Sequence, residues 1–240
     1  MDAKSLEFLT ACCIGDGCLY RCSKGYVSLS IKHGAKQRSY LEHKAARLNE
    51  ILGSSAKVRD INNNGYPGSE YRVYSTKVLT PLHRELYGSG KKTVTQRCLD
   101  SMGAAGFAVW WMDDGSLTII KRKTKSGGVT NGARIGWLST YTETRSESEM
   151  IAEWIEGVIG FRPRALPNKG KFRLHFNSHA LRKLCPVLQP YMIPSMSYKT
   201  DFGAINKIHV QTSPAMFTPK HLRKPEGDKL ARVPEHLVEV

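Results

Sequence analysis

The chain has 240 residues, enough for one large domain or two small ones around a substantial core. Lys and Arg number 36 against 21 Asp and Glu, a formal net charge of +15 that favours a polyanionic partner. No apolar run approaches the ~18 residues of a membrane span and no signal peptide is apparent. The six cysteines form no Cys-x-x-Cys pair, which points to an intracellular, reducing compartment without a disulfide framework.

In chain order, Ser5 is placed to cap a first apolar helix that runs to about Gly15. Within it Ala11 and Gly15 are small and four apart, so one face lets another backbone come close. Two strands follow, at about 18–22 and 26–32. In the second, Val27, Leu29 and Ile31 alternate with Ser28, Ser30 and Lys32, giving one apolar and one cationic, hydrophilic face. An amphipathic helix over 36–52 is stopped by Gly53. Strands near 56–61 and 70–75, carrying Arg59 and Arg72, flank the turn-forming run Asn-Asn-Asn-Gly-Tyr-Pro-Gly. A helix over 77–87 completes an αββαββα unit, and residues 88–106, rich in glycine, form a connector.

The pattern then repeats. Residues 107–115, Phe-Ala-Val-Trp-Trp-Met-Asp-Asp-Gly, form an apolar helix that must be buried on more than one side. Strands over 116–123 and 133–141 bear Lys121, Lys123 and Arg134, and a helix over 146–159 follows. A hairpin over 162–166 and 171–176 then turns Lys171, Arg173 and His175 to one face, ahead of a last helix over 179–188. His175, His179 and Cys185 lack a second matched pair and make a poor zinc set. From about residue 206 the chain is a basic, proline-rich arm with too little apolar periodicity for a core element.

Both apolar helices end in Asp-Gly. Residues 9–17, Leu-Thr-Ala-Cys-Cys-Ile-Gly-Asp-Gly, align with 107–115 so that Asp16 falls over Asp114 and Gly17 over Gly115, an offset of 114 − 16 = 98. The glycines suit the left-handed conformation that often closes a helix. A helix C-terminus repels negative charge, so an acid there needs a cation or a turn to explain it. Taken singly, each Asp-Gly reads equally well as a turn. Taken together they suggest a pseudo-symmetric site where the two helices meet.

These two motifs resemble the LAGLIDADG homing endonucleases, in their monomeric two-motif branch. Lys91-Lys92-Thr93, the run Pro190-Tyr191-Met192-Ile193-Pro194 through Tyr198-Lys199, and His33, Lys36-Gln37 and Tyr40-Leu41 are similar to further blocks of that family, over about residues 5–205. The resemblance implies an α+β fold with a pseudo-two-fold axis: duplicated αββαββα halves, two antiparallel saddle-shaped sheets, and two central packed motif helices. The chain is accordingly divided into an N-terminal half at 1–90, a linker at 91–103 and a C-terminal half at 104–205, with the basic arm at 206–240 beyond the resemblance. The resemblance implies a monomer that makes staggered double-strand breaks in a long DNA target, with Mg2+ or Mn2+ as cofactor. An RNA maturase acting on intron RNA, or a non-cleaving DNA-binding protein, is the alternative on the same fold; no membrane partner is expected.

By that resemblance Asp16, Asp114, Lys92 and Lys199 are the catalytic set, one acid and one lysine per half. Asp16 and Asp114 ligate metal, joined by the backbone carbonyls of Gly15 and Asp113. Asp113 departs from the family pattern, standing with Val109 where small residues are usual at the helix interface. That leaves its side chain as either a ligand or a hydrogen-bonding group across the interface. Ser28, Ser30, Lys32, Arg59, Arg72, Lys121, Lys123, Arg134, Lys171, Arg173 and His175 are expected to face DNA.

Overall fold

The structure is a computed structural model that describes residues 1–22, 26–63, 65–123, 127–140 and 142–201. The C-terminal arm lies outside the described residues. Helix α1 (Ala3–Ile14) starts two residues before Ser5, because Asp2 is the cap: its carboxylate accepts the Ser5 amide at 3.0 Å and the Ser5 hydroxyl at 2.7 Å. Strands β1 (Gly17–Arg21) and β2 (Val27–Gly34) lead through a short 3-10 turn to α2 (Arg38–Leu52), which Gly53 ends at φ +60°. Strands β3 (Arg59–Asn63) and β4 (Tyr66–Thr76) and helix α3 (Leu79–Tyr87) follow. The connector is not all loop. Thr95 caps a short helix α4 (Gln96–Asp100), which buries Cys98 and Leu99.

The second series is α5 (Ala104–Asp114), β5 (Gly115–Lys123), β6 (Val129–Leu138), α6 (Arg145–Ile159), β7 (Arg164–Asn168), β8 (Lys171–Phe176) and α7 (Ser178–Leu188). Thr144 and Glu147 close a capping box at the start of α6. The two four-stranded antiparallel sheets share one order, β1-β2-β4-β3 and β5-β6-β8-β7. This is the duplicated α+β architecture expected from the sequence.

Alternation sets two faces on each sheet. Leu19, Leu29, Ile31, Tyr71 and Val73 are buried on the core face of the first sheet, and Leu138, Leu174 and Phe176 on that of the second. One continuous apolar core joins both halves, with α1 and α5 packed at its centre. Two interlocks fix that central pair. Glu7 of α1 accepts the Gly103 and Gly106 amides at 2.8 and 2.7 Å, serving as the cap that α5 lacks in its own sequence. At the other end Gly15 abuts Asp113, and a Cβ at Gly15 would overlap that carboxylate.

Glycines 17 and 115 are not left-handed, contrary to the expectation from helix closure. Gly115 has φ −79° and ψ 150°. Both are there for space. A side chain at Gly17 would strike the Cys12 carbonyl, and one at Gly115 would strike the Trp111 carbonyl and indole. Each strand leaves its helix so tightly that only hydrogen fits.

Candidate active site

Asp16 lies just past the C-cap of α1, and Asp114 is the last residue of α5. A lysine reaches each helix end from a later segment of the chain: Lys92 from the connector between α3 and α4, and Lys199 from the end of a 3-10 turn after α7. The Lys92 Nζ donates to the Gly15 carbonyl at 2.5 Å and to that of Gly17 at 3.0 Å. The Lys199 Nζ donates to the carbonyls of Met112 at 2.5 Å and Asp113 at 3.0 Å. Both lysines therefore hold the carbonyl just before the aligned acid, where a cation also suits the negative end of the helix. Burial pushes both ammonium pKa values down, although nearby acidic groups oppose it. The Gly15 and Asp113 carbonyls, expected as metal ligands, are thus lysine acceptors in this state.

The paired tryptophans of α5 set up the second half-site. The Trp110 indole N–H donates to the Asp114 Oδ2 at 3.1 Å, and that of Trp111 to the Lys199 carbonyl at 2.9 Å. One ring aims the acid and the other anchors the loop that carries the lysine. Trp111 is held edge-on to Phe176 and Phe107, and Trp110 lies against Trp154.

The first half-site is built differently. The Asp113 Oδ2 accepts the Asp16 amide across the helix interface at 3.1 Å. The Asp113 Oδ1 accepts from the Tyr40 hydroxyl at 2.7 Å and the Lys44 Nζ at 2.5 Å, and both charged side chains are fully buried. Burial alone would lower the Lys44 pKa, but Asp113 outweighs it and the net shift is upward. Lys44 also faces the His33 Nε2 at 3.4 Å, while the His33 Nδ1 lies 3.1 Å from the Gln37 Oε1 and 3.5 Å from Asp16. Burial, then the Lys44 charge, drives the His33 pKa down to about 4, so the ring is neutral. With Lys44 able only to donate, Nε2 is the acceptor and Nδ1 carries the proton.

Burial, then the charge of Asp113, raises the Asp16 pKa to about 6. Burial, then Asp113 and Asp16, raises that of Asp114 to about 7. Acids crowded together in this way favour either a shared proton or a cation. Among the described residues, one group of three side chains has metal-ligand spacing: Asp16, His33 and Asp113, with ligand atoms within 4.8 Å of one another. Carboxylate oxygens suit a hard divalent cation. The Nδ1 proton of His33 and the filled valences of Asp113 leave Asp16 and Asp114 as the more open donors.

These shifts predict a pH effect. In metal-free protein the folded state holds its Asp114 proton to about pH 7, whereas the unfolded chain releases it near 3.8. A raised folded-state carboxyl pKa lowers stability as pH rises through that window. His33, with its depressed value, acts in the opposite sense, so the useful quantity is a difference. In EDTA, the stability of Asp114→Asn relative to the parent rises between pH 5 and pH 8 by urea unfolding. Parallel curves would contradict it.

The residues expected on a nucleic-acid face fall on the open faces of the two sheets where the structure describes them, except Arg134. It shares its strand face with Gly136 and the buried Leu138, the face covered by Leu181 and Trp111, so alternation turns it to the helix side, near Cys185. On the first sheet Ser28 and Ser30 are buried beneath their neighbours, not bare to solvent. Ser30 donates to Glu70 at 2.9 Å, and Arg59, Arg72 and Lys32 also gather on that carboxylate. Tyr20 and Tyr74 are exposed there. On the second sheet the Arg173 guanidinium lies 3.5 Å from the Trp137 ring centroid, with the His175 ring 4.7 Å away on the same indole. Lys171 is exposed and Arg134 half-buried. Lys121 and Lys123 lie in β5, but their side chains are outside the description.

Tyr40 and Gln37 entered the sequence reading only as a family-like block, and Lys44, Glu70 and the two indole N–H groups not at all. Lys44 left a signal: it falls on the inward stripe Tyr40, Leu41, Lys44, Ala45, Leu48 of α2, where a charge needs a partner.

Comparison with known proteins agrees with this architecture. The family model for the LAGLIDADG DNA endonuclease family matches residues 6–184. A protein RecA from Mycobacterium shimoidei is 29% identical over 191 residues, which is 78% of this chain and 44% of that protein. The chain thus spans less than half the length of that relative. A probable intron-encoded DNA endonuclease 3 from Mycosarcoma maydis is 30% identical over 113 residues, 47% of this chain and 74% of that protein. The homing endonuclease I-WcaI, solved bound to its DNA recognition sequence, superposes with a TM-score of 0.68 at 20% identity, covering 83% of this chain and 86% of that one. With the family model spanning both motif helices and both sheets, the chain belongs to the LAGLIDADG DNA endonuclease family.

Proposed function

We propose that this chain is a site-specific homing endonuclease that cuts both strands of a long double-stranded DNA target and acts as a monomer. What carries the reading is the repeated arrangement of acid and lysine at the ends of the two packed helices: Asp16 with Lys92, and Asp114 with Lys199. Two antiparallel DNA strands call for two near-equivalent hydrolytic sites, and a duplicated chain supplies them.

Asp16 and Asp114 are the metal ligands in this reading, with Mg2+ or Mn2+ bound between the halves. A divalent cation there neutralises charge on the scissile phosphate and acidifies the attacking water. The remaining steps belong to the chain. Lys92 and Lys199 present positive charge beside the phosphate and order its water, and their depressed pKa values ease proton exchange with that water. Trp110 keeps Asp114 turned to the site, and Asp113 fixes the backbone of Asp16. The open faces, with Arg59, Arg72 and Arg173, supply phosphate and base-edge contacts.

The test is an in-vitro cleavage selection on a randomised duplex library. With Mg2+ the purified chain enriches one long cut sequence, and with EDTA it enriches none. Binding to intron RNA or to duplex DNA without metal-dependent cutting would place the chain with the non-cleaving members of the fold.

A further inference from the structure

The open face of the first sheet has an acid at its centre, on a chain with an excess of 15 positive charges. Glu70 of β4 is only 2% exposed, yet it stands on the side of the sheet away from the core. Its register explains the company it keeps: Glu70 pairs directly with Arg59 of β3 and Lys32 of β2, and Arg72 is two residues along the same strand. All therefore point to one face. Arg59 grips the Glu70 Oε2 through Nε at 3.0 Å and Nη2 at 2.5 Å. Arg72 grips the Oε1 through Nε at 3.1 Å and Nη2 at 2.5 Å. Ser30 donates to Oε1 at 2.9 Å from below, and the Lys32 ammonium is 4.0 Å away. Burial works against the charge of Glu70, but the hydrogen bonds from Arg59, Ser30 and Arg72 overcome it and hold the pKa at about 2.

A carboxylate facing DNA repels phosphate, so its presence there needs a reason. The geometry supplies one. Each guanidinium spends its Nε/Nη2 edge on Glu70, which fixes the plane of both forks. The Nη1 end of each then projects away from the acid. The Arg59 side chain is 60% exposed and that of Arg72 33% exposed. A fork held in one plane suits the paired O6 and N7 acceptors of guanine; a mobile one suits any phosphate. Among the described residues the second sheet shows no such acid, and there the Arg173 guanidinium lies over the Trp137 indole with the His175 ring tilted against it instead.

We propose that Glu70 is a specificity-determining positioning residue, which locks Arg59 and Arg72 so that the first sheet reads guanine at two fixed places in one half of the DNA target. This rests on the endonuclease reading above. Glu70 touches no base itself; it converts two general cations into two readers.

The experiment profiles the full chain and its variants by cleavage selection on the randomised duplex library with Mg2+. The parent chain should prefer guanine at two positions in one half-site. Glu70→Gln should still cut the selected target, but its base preference at those two positions should flatten roughly tenfold or more. The other half-site should be unchanged. Freed forks reach phosphates, so binding should become more salt-dependent. Arg59→Lys and Arg72→Lys, which keep the charge and lose the fork, should each flatten one of the two positions. They carry the test if the Glu70 variant fails to fold. A Glu70→Gln chain with the parent base profile overturns the proposal, as does an Arg→Lys pair that leaves it intact. A parent chain that selects no cut duplex overturns the endonuclease reading and this one with it.

Discussion

Asparagine at Asp16 or at Asp114 lowers double-strand cleavage by about 10³-fold or more, because each removes a negative ligand and the charge neutralisation that depends on it. Duplex binding stays close to that of the parent. Affinity comes from many phosphate contacts spread over both sheets, and the isosteric amide disturbs none of them. The two variants differ in detail. Asp114→Asn keeps an acceptor for the Trp110 indole, so the α5 terminus holds its shape. Asp16→Asn leaves the backbone amide that Asp113 accepts. Single-turnover cleavage in Mg2+, read beside gel-shift affinity in Ca2+ or EDTA, measures both quantities. Equal loss of binding and cutting would mean that these acids shape the interface and do no chemistry.

The second large effect is on stability. Lys44→Ala leaves the Asp113 carboxylate charged, fully buried and short of its strongest donor. Breaking a buried ion pair on one side costs about 3–5 kcal/mol. For a chain of this size that lowers the melting temperature by on the order of 10 °C. Replacing both partners by uncharged residues of similar size, Lys44→Met with Asp113→Asn, recovers part of the loss, since no orphaned charge remains and the amide oxygen can still accept from the Asp16 amide. The double-mutant cycle therefore shows strong coupling in thermal or urea unfolding. If Lys44→Ala melts with the parent, the pair is not the anchor that its burial and 2.5 Å separation indicate.

The fold was legible where periodicity repeats. Two apolar runs ending in Asp-Gly, each followed by alternating strands, carried the duplicated architecture and the place of Asp16 and Asp114. What was lost lay in contacts between residues far apart in the chain. Gly15, Gly17 and Gly115 look like helix terminators in one dimension; in space they are glycines because Asp113, Cys12 and Trp111 leave no room for a Cβ. Trp110 and Trp111 read as plain core, since a sequence does not tell where an indole N–H points. Ser28 and Ser30 were placed on the right face by alternation, but burial there depends on Glu70 and its arginines, which come from strands some 40 residues downstream and are invisible to local pattern. Lys44 was hidden because a lysine in an amphipathic helix is ordinarily at the water edge.

The unlike partners Gly15 and Asp113 have a consequence for ancestry and engineering. They occupy matching places in the repeat, 98 residues apart, and they meet at its axis. Two copies of the front module would set glycine against glycine, which lets the helices close up but leaves the Asp16 amide without its carboxylate acceptor and the buried Lys44 without its partner. Two copies of the rear module would force aspartate against aspartate with no room for either. The rear module therefore cannot self-pair as it stands, and any chimera that moves Asp113 must keep a glycine opposite it.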